Sequence, residues 1–354
     1  MPLDRILRNL ITWQRADGPP TPVRALTVEQ ARERYLANSI RPRRDDSGPL
    51  AAVTAVDQAI DNADGSSFRC RVYALGSAER RVITYLHGGG WGLGDVNSHD
   101  RVCRILAASL GAVVVSADYR RAPEFPYPVP LRDAVAAARW TARSFPSRDH
   151  VIAGDSAGAS LALGVALDAR DTGDVEFAAQ LLLYPSADPS LRIMSACEYA
   201  DGYTLSVDDM AWYYELYVPD PRRRGDPAVN LLNANLGDLP PTVLGTAEFD
   251  PLHDEGEELA GKLRAAGVTV RHVPGPGLIH GYFLMQDIVP SAAACAQRVV
   301  QELDTVLGSA RGVSGRERRG DLGGNALDED AQSVGEPLRR IAARQGVEGL
   351  RVMR

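Results

Sequence analysis

From about residue 66 to 308, short runs of β-branched and aliphatic residues alternate with longer amphipathic stretches. This alternation predicts strands and helices wound into a mostly parallel sheet. The strand candidates are SSFRCRVYAL, RRVITYLH, AVVVSADY, HVIAGDS, AAQLLLYP, PTVLGTAEFD and VTVRHVP. Helical periodicity fills 97–110, 131–145, 157–171 and 254–267. The last of these, DEGEELAGKLRAAG, opens on carboxylates, carries its bases late and stops at Gly267, the charge order that suits a helix dipole.

Three segments stand outside the alternation. Residues 1–45 predict two helices, the second being TVEQARERYLANS, with Thr27 as N-cap and Gln30 as its capping-box partner. Residues 188–238 form a long excursion holding the aromatic helix SVDDMAWYYELY, and an excursion of that length in an α/β domain is more often a lid or binding element than a bare loop. Residues 311–354 carry no aromatic residue and many Gly, Arg, Asp and Glu, which reads as a flexible tail with EPLRRIAARQG as one short helix.

Composition narrows the classes. The 354 residues, 45% hydrophobic, are enough for one large domain or two modest ones. A net charge of −7 without a long basic block argues against nucleic acid as a partner. Cys70, Cys103, Cys197 and Cys295 lie far apart, with no metal-ligand spacing, and read as reduced thiols of a cytoplasmic protein. No apolar run approaches the ~20 residues of a membrane span. The opening MPLDRILRNLITWQRADG is broken by Asp4, Arg5 and Arg8 and does not read as a signal peptide.

The chemistry concentrates in a few short stretches. GDSAG at 154–158 fits G-x-S-x-G between the apolar run HVIA and the helical ASLALGVALDA, the strand-to-helix context that a nucleophile elbow requires. A serine hydroxyl at Ser156 needs a base to take its proton and a carboxylate to orient that base. Of six histidines, His280 in GLIHGYF lies on a glycine-flanked loop after the last strand. His87 belongs to a glycine loop, His99 opens a helix, His150 precedes the elbow strand, His253 adjoins a carboxylate and His272 lies within a strand. For the acid, Asp250 ends PTVLGTAEFD, whereas Glu248, Asp254 and Glu255 read as strand-end and first-turn carboxylates. The order Ser156, Asp250, His280 is that of α/β-hydrolases.

HGGGWGLG at 87–94 completes the set. Three consecutive glycines are costly to order and let bare backbone approach a substrate. Backbone N–H groups so placed stabilise the oxyanion formed when a serine attacks an ester carbonyl; the expected donors are Gly89, Gly90 and Ala157. The run lacks the lysine of a phosphate loop, and the spacing and ribose-binding acid of a dinucleotide loop do not follow. Among the aromatics, Tyr213 and Tyr217 at i, i+4 are candidates for a pocket wall, while Trp91 fits a pocket wall and a core plug equally well.

Together HGGGW, DYRRAPEFPYP, GDSAG, DPLHDEG and HGYF resemble the hormone-sensitive-lipase-like family (family IV) of bacterial serine esterases, from about residue 50 to 308. The resemblance implies an α/β-hydrolase core over 46–310, a helical cap built from 1–45 and the 188–238 insertion, and hydrolysis of short- to medium-chain carboxylic esters with neither cofactor nor metal. Acyl transfer to another acceptor, or ligand binding without catalysis, would fit the same scaffold. The sequence departs from the family where GDSAGG reads GDSAGA and DYRLAPEHPFP reads DYRRAPEFPYP; Asp118, Arg120 and Glu124 are expected in structural ion pairs. The late strand VTVRHVP is expected at a sheet edge, where a second copy would pair to make a homodimer.

Overall fold

The structure, a computed structural model, describes residues 1–16, 18–39, 49–76, 79–146 and 148–317. Its centre is a sheet of strands β1 (Thr54–Asp61), β2 (Ser67–Ala74), β3 (Arg81–Leu86), β4 (Ala112–Asp118), β5 (Asp149–Asp155), β6 (Ala179–Leu183), β7 (Thr242–Phe249) and β8 (Val270–Ile279). The spatial order is β1-β2-β4-β3-β5-β6-β7-β8. Only β1 with β2 and β2 with β4 run antiparallel; every pair from β4 to β8 is parallel. Each expected strand is present, and β8 is indeed an edge, its exposed side blunted by Pro274 and Pro276.

The helices are α1 (Arg5–Gln14), α2 (Val28–Ser39), α3 (Asp100–Leu110), α4 (Val129–Ser144), α5 (Ala157–Thr172), α6 (Met194–Glu198), α7 (Val207–Tyr217), α8 (His253–Ala265) and α9 (Pro290–Glu317). Buried residues of α4, α5 and α8 join one core on one face of the sheet, and those of α3 and α9 join a second core on the other. The central strands are mostly apolar because they are covered on both faces, and their few polar side chains, such as Thr84, His150, Gln180 and Thr242, are buried with them. Helix α5, buried along nearly its whole length, is apolar on every side for the same reason.

The N-terminal helices and the excursion meet. Arg24 pairs with Asp208 and Glu215 of α7, and α2 opens on the expected capping box, with Thr27 N–H donating to Gln30 Oε1 and Gln30 N–H to Thr27 Oγ1. Helix α9 runs to Glu317, past the expected start of the tail; EPLRRIAARQG lies outside the described residues. No described helix is long and apolar enough to cross a membrane.

Candidate active site

Strand β5 ends at Asp155 and α5 begins at Ala157, so Ser156 alone carries the reversal, at φ 54° and ψ −125°. A left-handed serine is strained and persists only where its surroundings over-determine it. Here they do: Ser156 N–H donates to Leu183 O at 2.8 Å. A Cβ on Gly154 would overlap the Gly158 carbonyl, and one on Gly158 would overlap the Leu86 carbonyl. The elbow therefore tolerates no side chain at either glycine.

His280 follows β8 directly. Its Nε2 lies 2.9 Å from Ser156 Oγ, and its Nδ1 lies 2.7 Å from Asp250 Oδ2. Asp250 is fully buried at the end of β7, and its other oxygen accepts Leu252 N–H at 2.9 Å. A carboxylate that only accepts assigns the proton to Nδ1 and leaves Nε2 to take the serine proton. The Tyr184 ring stands edge-on to the imidazole, with centroids 4.8 Å apart, and Thr204 Oγ1 donates to the His280 carbonyl at 3.0 Å.

Gly89 and Gly90 have φ of 106° and 59°. Among the described residues the N–H groups of Gly89, Gly90 and Ala157 donate to no protein acceptor. The loop closes on itself where Gly92 N–H and Leu93 N–H both donate to Gly89 O, at 3.1 and 2.8 Å. Beneath it, His87 is buried and stacked on Tyr119 at 4.2 Å, and burial pulls its pKa down to about 4, so it is a neutral spacer.

A second aspartate–histidine pair adjoins the elbow and was not anticipated. The buried Asp155 carboxylate accepts Tyr85 O–H at 2.7 Å and Gly88 N–H at 3.0 Å, and faces His99 Nε2 at 3.2 Å. Burial alone would raise this carboxyl, but His99 and the Tyr85 hydrogen bond outweigh it and hold it below its ordinary range. Tyr35 of α2 stacks over His99, with centroids 6.4 Å apart. The one available signal was a carboxylate closing an otherwise apolar strand, which demands a partner.

The aromatic candidates divide. Tyr213 lies directly on Gly90, where a Cβ would strike its ring. Trp91 and Tyr217, at 2% and 1% exposure, stack on each other at 4.5 Å and 5°. Each ring also meets a further aromatic, Trp91 tilted against Tyr214 at 5.0 Å and Tyr217 edge-on to Tyr127 at 5.7 Å, so both belong to one buried aromatic cluster. The ion pairs of DYRRAPEFPYP reach outside the motif: Asp118 to Arg69, Arg120 to Asp133 and Glu124 to Arg32.

Of the rejected carboxylates, Glu255 is fully buried, with Oε2 accepting Asp188 N–H at 2.6 Å and Ala187 N–H at 3.2 Å. Burial pushes its pKa well above the ordinary range, and the two amides it accepts pin the root of the excursion to α8.

Residues 83–284 match the α/β-hydrolase fold family. Carboxylesterase NlhH of Mycobacterium tuberculosis is 41% identical over 236 residues, 64% of this chain and 74% of that protein. Ethyl acetate hydrolase of Pseudomonas putida is 32% identical over 313 residues, 83% of this chain and 95% of that protein. The crystal structure of a thermostable esterase from Pseudomonas putida superposes with a TM-score of 0.81 at 33% identity, covering 86% of this chain and 98% of that one. With the fold, the elbow and these likenesses in agreement, the chain belongs to the α/β-hydrolase family and, within it, to the hormone-sensitive-lipase-like serine carboxylesterases.

Proposed function

We propose that this carboxylesterase cleaves short- to medium-chain carboxylic esters through an acyl-enzyme on Ser156. The observation that carries the reading is the relay from Ser156 through His280 to Asp250, at 2.9 and 2.7 Å, beside three uncommitted backbone donors. His280 Nε2 takes the Ser156 proton as Oγ attacks the ester carbon, and the carbonyl oxygen becomes an oxyanion held by Gly89, Gly90 and Ala157. Collapse expels the alkoxide, which leaves as alcohol with the proton from His280. Water then attacks the acyl-enzyme by the same route, releasing acid and restoring Ser156. Asp250 stays ionised, holding the imidazole tautomer and balancing its charge.

The substrate in this reading is a small ester, supported by Arg32 and Tyr35 of α2, which meet the glycine loop and His99, and by Tyr213 of α7 against Gly90. The enzyme works in the cytoplasm, in keeping with four unpaired cysteines. A homodimer through the edge strand β8 is supported by its end position in the sheet, with pairing confined to the stretch before the Pro274 and Pro276 that interrupt the edge. The function is tested by rates on p-nitrophenyl acetate, butyrate, octanoate and palmitate, run beside Ser156→Ala. The expected profile peaks at acetate to octanoate, with nearly all turnover lost in the variant; a palmitate optimum, or a variant retaining wild-type turnover, would contradict the reading.

A further inference from the structure

The amide of Gly90 is the end of a hydrogen-bond chain that begins on the cap. Arg32, on α2, donates from Nε to Gly92 O at 2.8 Å. The same peptide unit, through Leu93 N–H, donates to Gly89 O at 2.8 Å. The peptide unit of Gly89 O ends in Gly90 N–H, one of the uncommitted donors. A guanidinium charge therefore sits at one end of two peptide dipoles in series, and the last bond it polarises is the N–H of Gly90.

We infer that Arg32 is a positioning residue for ester hydrolysis, acting through two peptide units to fix and polarise the Gly90 donor. The inference rests on the reading of Gly90 as an oxyanion donor. Hydrogen bonds in series strengthen one another by roughly 10–30% each, and a charged donor makes a stronger bond than a neutral one. Arg32 is itself held in place: its Nη1 and Nη2 each donate to Glu124 at 2.7 Å, and Nη2 also reaches Ala122 O at 3.0 Å. From the other side Arg121, where the family pattern has leucine, donates to Leu93 O at 3.1 Å and Gly94 O at 2.8 Å. The carbonyls of Gly92, Leu93 and Gly94 thus face cations. The cap is in this way part of the transition-state machinery as well as a cover.

The test compares R32M, R32K and R24M by kcat and KM on p-nitrophenyl butyrate, with active sites counted by phosphonate titration and folding checked by circular dichroism. A trifluoromethyl ketone, whose adduct with the serine carries an oxyanion, serves as a second probe. Removing a whole oxyanion donor costs about 10²–10³ in kcat, so loss of its polarisation is expected to cost R32M about 3- to 10-fold in kcat per titrated site. KM should stay within about two-fold, and ketone affinity should fall by the same factor as kcat. R32K should recover part of both. R24M removes a guanidinium that binds α7 and touches no loop carbonyl, and should match wild type. Wild-type kcat and ketone affinity in R32M, or equal losses in R24M, overturn the inference. Should R32M not fold, R32K and R32Q carry the same comparison. If S156A keeps its turnover, the underlying reading fails; if S156A is dead and R32M is unaffected, only this inference fails.

Discussion

Asp155 holds Gly88: the carboxylate beside the nucleophile accepts the first amide of the glycine loop at 3.0 Å, so the serine turn and the loop of backbone donors are fastened to one buried charge. His99 and Tyr85 satisfy the rest of that carboxylate. D155A removes the acceptor of the Gly88 amide together with the charge facing His99. It should lower kcat about 10- to 100-fold with KM little changed, since the fault lies in donor placement. Steady-state kinetics per titrated site checks this, and an unchanged kcat would show that the fastening has no bearing on turnover.

Tyr213 packs on Gly90, and in the proposed reading it borders the space beside the reacting carbon. Y213A should open that space and raise kcat/KM for p-nitrophenyl octanoate relative to acetate by about 10-fold, in line with one to three kcal/mol for matched apolar contacts in a pocket. W91F, altering a ring held in the Trp91–Tyr217 stack, should leave the ratio near wild type while lowering the melting temperature.

Two buried histidines set the acid limb of stability. Burial lowers His87 to about 4 and His150 to about 3, against about 6.5 in the unfolded chain. Above pH 6.5 both states are neutral and nothing is lost. As pH falls below 6.5 the unfolded state takes up the protons first, so stability declines down to about pH 4 for His87 and about pH 3 for His150, by on the order of 1.4 kcal/mol per histidine per pH unit. Urea midpoints from pH 7.5 to 4.5 should show this slope, and H150N should make it shallower.

Glu255 acts with the opposite sign. Its raised pKa means the folded state keeps a proton that the unfolded state releases above about 4.5. The stability it contributes is whole below that pH and drains away as pH climbs toward the folded value. E255Q keeps an acceptor for the Ala187 and Asp188 amides and cannot ionise. It should therefore gain on wild type between pH 6 and 9, read as the difference in melting temperature.

Much of this architecture was legible in the chain because the central strands are mostly apolar and the motifs sit at their carboxyl ends. β1 was missed because it is an edge with one fully buried residue, Ile60, and with Asp57, Gln58 and Asp61 breaking the alternation. Ser156, Asp250 and His280 stood out because each ends a strand or follows one, and the structure brings them within hydrogen-bonding distance. Asp155, His99 and Arg32 were not legible. Their roles come from partners 67, 56 and 60 positions away, and no local pattern encodes a contact made by tertiary packing. Trp91 and Tyr217 were ambiguous for a related reason: helical spacing shows which residues share a face, not what that face meets.

The most direct test of the account is covalent capture of the nucleophile. Incubation with diethyl p-nitrophenyl phosphate should release one p-nitrophenol per chain and leave a diethylphosphoryl group on the peptide containing Ser156, seen by mass spectrometry, with H280A labelled at least 100-fold more slowly. A label on any other residue, or H280A reacting at the wild-type rate, would contradict it.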